Sequence, residues 1–196
     1  MQKKRLVVGI SGASGAPIAV EVLRQLRAIE MVESHLMITK GGLMTLRQET
    51  GLSPEELAGL ADVFYENDRI GAALASGSFA TEGMLVVPCS MKTVAGIVSG
   101  YSDNLLLRAA DVTLKERRKL VLVARESPLS SIHLRNMYEL SRMGAVIMPP
   151  VMTYYRQADS VQEMTRNFVQ RLLGQFGMKQ EEWEWTGEEK DSTRSV

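Results

Sequence analysis

The segment Gly9-Ile10-Ser11-Gly12-Ala13-Ser14-Gly15-Ala16 joins a short apolar run to a stretch of helical spacing, and its small residues let backbone amides come close to an anion. A phosphate-binding loop is one reading. A tight strand-to-helix turn that needs small side chains is the other, and the loop by itself leaves both open. The dinucleotide fingerprint G-x-G-x-x-G is not met, because Ser11 stands at its second glycine and the next strand ends in Thr39-Lys40 rather than in an acidic residue for an adenine ribose. The triphosphate loop fails as well, since no Gly-Lys-Ser/Thr follows at the required spacing. A mononucleotide such as FMN fits what remains.

Other chemistries are thinly supplied. Cys89 is the only cysteine, and with only His35 and His133 beside it there is no zinc-binding spacing and no intrachain disulfide. Cys89 follows the apolar run Leu85 to Pro88 and reads as a small buried thiol, and both histidines read as structural. Twenty-three basic and 23 acidic residues cancel, so no net field draws the chain to nucleic acid or to an anionic membrane. The apolar stretches fall far below the roughly 20 residues that cross a bilayer. The N-terminus runs from Lys3-Lys4-Arg5 directly into Leu6 to Ile10, without the pattern of a secretory signal, so a cytoplasmic protein is expected.

The elements that must position the loop follow from periodicity. Strands are predicted at Leu6 to Ile10, Ser34 to Thr39, Met84 to Pro88, Leu120 to Ala124 and Ala145 to Met148. Between and after them, helices are predicted from Pro17 as a first helical residue, at Leu43 to Glu49, at Ser53 to Ala61 with Ser53 as N-cap, at Thr93 to Val98, Leu105 to Leu114, Ile132 to Arg142 and Val161 to Phe176. Strands apolar throughout and separated by helices imply an α/β fold, a doubly wound parallel sheet in a three-layer, Rossmann-like sandwich. One FMN-binding domain over residues 1–178 is expected, then a charged tail over 179–196 that is mobile unless held. Trp183 and Trp185 in that tail suggest docking onto the body, another subunit or a ligand.

Four further segments, Thr39-Lys40, Pro88-Cys89-Ser90-Met91-Lys92-Thr93, Arg125-Glu126 and Pro149-Pro150 leading to Tyr154-Tyr155, join the first loop in one order at predicted strand ends. In this set the chain resembles the UbiX/Pad-type flavin prenyltransferases, from about Leu6 to Phe176. The resemblance implies a flavin site at Gly12, Ala13 and Ser14, Thr39, Ser90, Met91, Lys92, Thr93 and Arg125. Thr39 replaces an expected serine and keeps the hydroxyl. It further implies a site for dimethylallyl monophosphate at Lys115, Arg125, Tyr155 and Arg171, although Lys115 and Arg171 singly would pass for solvated helix residues. Catalytic roles fall to Ser14, whose hydroxyl would face the flavin near N5 unless it only caps the helix, and to Glu49 and Glu126 as acid/base carboxylates, Glu126 slightly ahead. The bland alternatives are an exposed helix-end carboxylate for Glu49 and a partner of Arg125 for Glu126.

The implied reaction joins a dimethylallyl group to N5 and C6 of reduced FMN, giving the prenylated cofactor of a UbiD-type decarboxylase. The absence of adjacent aspartates agrees with a phosphate clamp that needs no metal. A homo-oligomer, a dodecamer with sites at subunit junctions, is implied too, and Lys115 could then serve a neighbour's site. Two rivals remain. An FMN-dependent cysteine-type decarboxylase would carry Pro-Ala-Ser-Ala-Asn-Thr where this chain has Pro88 to Thr93. A non-catalytic flavin carrier, accessory to a phenolic-acid decarboxylase, would not need Glu49, Lys115, Glu126, Tyr155 and Arg171 together.

Overall fold

The computed structural model describes residues 3–178, and the expectations for the tail and its two tryptophans lie outside them. Six strands form one sheet: β1 (Lys4–Ile10), β2 (Val32–Ile38), β3 (Val63–Glu66), β4 (Gly83–Cys89), β5 (Lys119–Ala124) and β6 (Val146–Ile147). Their spatial order is β3-β2-β1-β4-β5-β6 and every pairing is parallel. The helices are α1 (Ala16–Arg27), α2 (Lys40–Thr50), α3 (Pro54–Ala58), α4 (Met91–Val98), α5 (Leu105–Lys115), α6 (Ser131–Arg142) and α7 (Val161–Gly174).

Side chains alternate across a strand, and here both faces are buried. Leu6, Val8, Ile10, Leu85, Val87, Val121 and Val123 face one core, which α1, α2, α3 and α7 cover. Val7, Met84, Val86, Leu120 and Leu122 face the other, beneath α4, α5 and α6. This is the three-layer sandwich expected, and it explains why the central strands carry no polar alternation.

Several boundaries differ from expectation for local reasons. Helix α1 starts at Ala16, so Pro17 is its second residue, where its missing N–H costs no helical bond. Ser53 caps α3 through a reciprocal capping box with Glu56, yet that helix ends at Ala58. Helix α2 begins three residues early because the Thr39 side chain caps it, accepting from the Gly42 amide at 3.1 Å. Strand β3 was not expected: its four residues alternate half-buried and exposed at the sheet edge. At the opposite edge β6 is only two residues long.

Because the sheet is parallel, the loops after β1, β2, β4 and β5 emerge along one rim. After β1 the chain crosses to one face, and after the neighbouring β4 it crosses to the other. The gap between those departures is a topological switch point, where ligands of doubly wound sheets bind.

Candidate active site

Backbone and side-chain bonds stitch the rim together. The β4–β5 register shifts between Val86 and Cys89, a bulge that re-aims the end of β4. The Ser11 amide then donates to the Pro88 carbonyl at 3.1 Å, the Thr39 amide to the Ile10 carbonyl at 2.9 Å, and the Arg125 amide to the Cys89 carbonyl at 3.0 Å. The loops after β1 and β2 touch through glycine: a Cβ on Gly12 would lie 2.9 Å from the Gly41 Cα. Only glycine at both positions allows that approach.

The N-terminus of α1 is already satisfied. Gly15, at φ 123°, turns the chain so that its own amide and that of Ala16 both donate to Glu49 Oε2 at 2.8 Å. Pro17 has no N–H and the Ile18 amide returns to the Gly15 carbonyl, so these two are the open donors of that turn. The Ser14 hydroxyl also bonds to Glu49. Ser14 therefore does not cap α1; it faces a carboxylate.

Of the two readings the loop left open, an anion cradle made by the α1 amides is not what the structure shows, since a carboxylate reaching over from the end of α2 occupies them. Orphan amides remain elsewhere on the rim, at Gly12 and Ser14 in the first loop and at the starts of α2 and α4. Among the described residues the Lys40 and Gly41 amides of α2, and the Met91 and Lys92 amides of α4, have no acceptor. Hydroxyls flank them. Ser90 caps α4, accepting from the Thr93 amide at 3.3 Å, and its Oγ lies 3.1 Å from Thr93 Oγ1. Helix N-termini with free amides and neighbouring hydroxyls suit a dianionic phosphate ester, and the close glycine contact keeps side chains out of its approach. The residues present therefore fit the phosphate and ribityl parts of FMN.

Glu49 stands beside this cradle in its charged form. Burial pushes its pKa up, but the bonds from Ser14, Gly15 and Ala16 and the positive charge of Arg125 outweigh that and hold it below the ordinary carboxylate value. Glu126 is spent differently, with one oxygen accepting its neighbour's amide, that of Ser127, at 3.0 Å. The described residues show no Glu126–Arg125 ion pair. Of the two carboxylates, Glu49 is the one bonded to the first loop and to the start of α1.

Tyr155 and Arg171 meet in a shallow pocket between the segment after β6 and α7, with Thr153 and Asn167 on its wall. Tyr154 does not line it. A wider cavity of about 300 Å³ adjoins it along β6 and also includes Arg171. Lys115 is elsewhere. It ends α5 at the opposite rim, ion-paired with Glu116, just before β5 begins at Lys119. Arg125 follows the far end of that six-residue strand, so about 20 Å separates the two rims. Within one chain Lys115 does not join the site.

Cys89 and His35 are structural, as the sequence suggested. Cys89 is fully buried and its thiol pKa is raised by that burial. His35 sits between Tyr65 Oη at 3.0 Å and Glu33 Oε1 at 2.7 Å. His133 closes the capping box of α6 from a half-buried position.

The Flavoprotein family model matches residues 1–171. The flavin prenyltransferase UbiX of Escherichia coli K12 is 49% identical over 175 residues, which are 89% of this chain and 93% of that protein. The chain belongs to the UbiX-like flavin prenyltransferase family. Solved UbiX-like structures superpose closely. AnUbiX, in complex with FMN and dimethylallyl pyrophosphate, matches with a TM-score of 0.90 and 46% identity, covering 96% of this chain and all of that one. The dodecameric FMN-dependent UbiX-like decarboxylase of Escherichia coli O157:H7 matches with the same TM-score and 48% identity, over 93% of this chain and all of its own. For a UbiX-like chain, the residue the sequence reading passed over is Ser11, fully buried at the switch point; its signal was a hydroxyl at a position the dinucleotide pattern reserves for glycine.

Proposed function

We propose that this enzyme transfers a dimethylallyl group from dimethylallyl monophosphate to N5 and C6 of reduced FMN, releasing phosphate and prenylated FMN. The observation that carries the reading is the charged Glu49, bonded to Ser14 and to the α1 amides, beside two helix N-termini whose amides are open. Reduced FMN supplies the nucleophilic positions when bound. The chain supplies placement and proton transfer. Thr39, Ser90, Met91, Lys92 and Thr93 hold the phosphate and ribityl chain, with Gly12 and Ala13 against the flavin and Arg125 neutralising charge. Glu49, with Ser14 between it and the flavin, receives the proton lost from C6 at ring closure, and Glu126 is the lesser candidate.

Arg125, Tyr155 and Arg171 hold the departing phosphate, and a Lys115 from a neighbouring subunit completes the clamp. That last assignment needs an oligomer, and a dodecamer like that of the Escherichia coli relative supplies it. The exposed Ile132, Leu134 and Tyr138 of α6 support an assembly that covers apolar surface. The product would serve a UbiD-type decarboxylase acting on phenolic or hydroxybenzoic acids.

The test mixes purified protein anaerobically with reduced FMN and dimethylallyl monophosphate, without added metal, and reads flavin mass. FMN gaining one five-carbon unit is expected. FMN that binds but stays unchanged would overturn the reading and favour a flavin carrier.

A further inference from the structure

Ser11 is 1% exposed, carries no charge and touches no surface, yet every polar contact of its side chain goes to one segment. Its Oγ accepts from the Ser90 amide at 2.8 Å and lies 3.2 Å from the Pro88 carbonyl and 3.3 Å from Ser90 Oγ. Its own amide holds the same Pro88 carbonyl. One residue earlier, the Ile10 carbonyl holds the Thr39 amide at the start of α2. The Ile10-Ser11 step thus ties together the first residues of two helices that start on different faces of the sheet.

A serine needed only to fit a small space would not take the capping residue's own amide. That amide is the first of the α4 series. Were it free, it would compete with the Met91 and Lys92 amides for an anion and let Ser90 rotate; held by Ser11, it fixes which two amides point outward. The Ser90 hydroxyl, between Ser11 and Thr93, is oriented by the same contact.

We propose that Ser11 is a positioning residue for phosphate recognition: it sets the α4 amides against the α2 amides so that one phosphate monoester is held between them, without itself touching the ligand. This rests on the flavin reading above, and it predicts a selective defect. Riboflavin has the same ring and ribityl chain as FMN but lacks the phosphate, so it reports the remainder of the site.

The experiment measures FMN and riboflavin affinities by flavin-fluorescence titration for the wild type, Ser11→Ala and Ser11→Cys. Cysteine keeps a γ atom in place of the hydroxyl, at slightly larger size, and weakens the acceptor, so it carries the test if the alanine variant does not fold. Each variant is expected to lose about tenfold in FMN affinity and to hold riboflavin within about twofold of wild type. Equal losses for both ligands, or an unchanged FMN affinity, overturn the positioning role while leaving the flavin reading intact. A wild type that binds FMN no tighter than riboflavin overturns both.

Discussion

A carboxylate that takes two backbone amides and a hydroxyl holds its proton weakly, and Glu49 is in that position. Its depressed pKa means it is already a base at neutral pH and stays one as pH falls to the ordinary carboxylate range. The acid limb of kcat/KM is therefore expected below pH 4.5, the unperturbed value; a limb centred near pH 6 would assign the base elsewhere. Glu49→Gln keeps the shape and removes the charge. It is expected to lower kcat by about 10²- to 10⁴-fold while FMN affinity changes little, with single-turnover flavin spectra as the readout. Ser14→Ala should lose less, since it removes one bond to the same carboxylate. None of this pairing was legible in the residues around Glu49, which read as an exposed helix end. Its partner Gly15 lies 34 positions earlier, and only the β1–β2 pairing brings the two loops together. The identity of the residues that reach the rim was legible, because each follows an apolar run.

Contacts between elements carry two further predictions. Gly12→Ala and Gly41→Ala each place a methyl against the other's backbone, at 2.9 and 3.1 Å, and each should weaken FMN binding by about tenfold or more. Because both break one contact, the double variant is expected to lose much less than the sum, which a double-mutant cycle of FMN affinities would detect. At the β2–β3 edge, burial lowers the pKa of His35 and outweighs the bond and charge of Glu33; Arg5 adds to the lowering and Asp62 opposes it, while Tyr65 contacts the other ring nitrogen. The unfolded chain protonates this histidine near pH 6.5 and the folded chain does so only at lower pH. Its stabilising contribution is thus complete above pH 6.5 and falls as pH drops through the folded pKa. Urea midpoints should decline between about pH 7.5 and about pH 5.5, and less steeply in His35→Gln. The central strands were readable because both faces are buried, whereas β3 was missed because four alternating residues resemble a polar loop. Capping explains the remaining shifts: Thr39 starts α2 before its apolar pattern begins.

In the whole molecule, Lys115 lies the height of the sheet away from Arg125, so the phosphate clamp proposed above needs the Lys115 of a second subunit. Lys115→Ala and Arg171→Ala proteins should each be nearly inactive alone. Co-assembled in equal amounts they should recover about a quarter of wild-type activity, the share of junctions with both residues intact. A clamp built within one chain would recover none. Apart from Trp183 and Trp185, whose docking partner it left open, the sequence hinted at assembly through resemblance, since its apolar α6 positions have the same spacing whether they face a core or a neighbour. The two outermost strands bear on how any assembly can form. At four and two residues, β3 and β6 offer few unpaired backbone groups. Further chains thus find almost no template for strand addition. Growth by that route, which leads to open fibrils and precipitation at high concentration, is disfavoured among the described residues, and association through side chains, as on the exposed apolar face of α6, is left as the favoured route, where geometry can bring it to a finite shell.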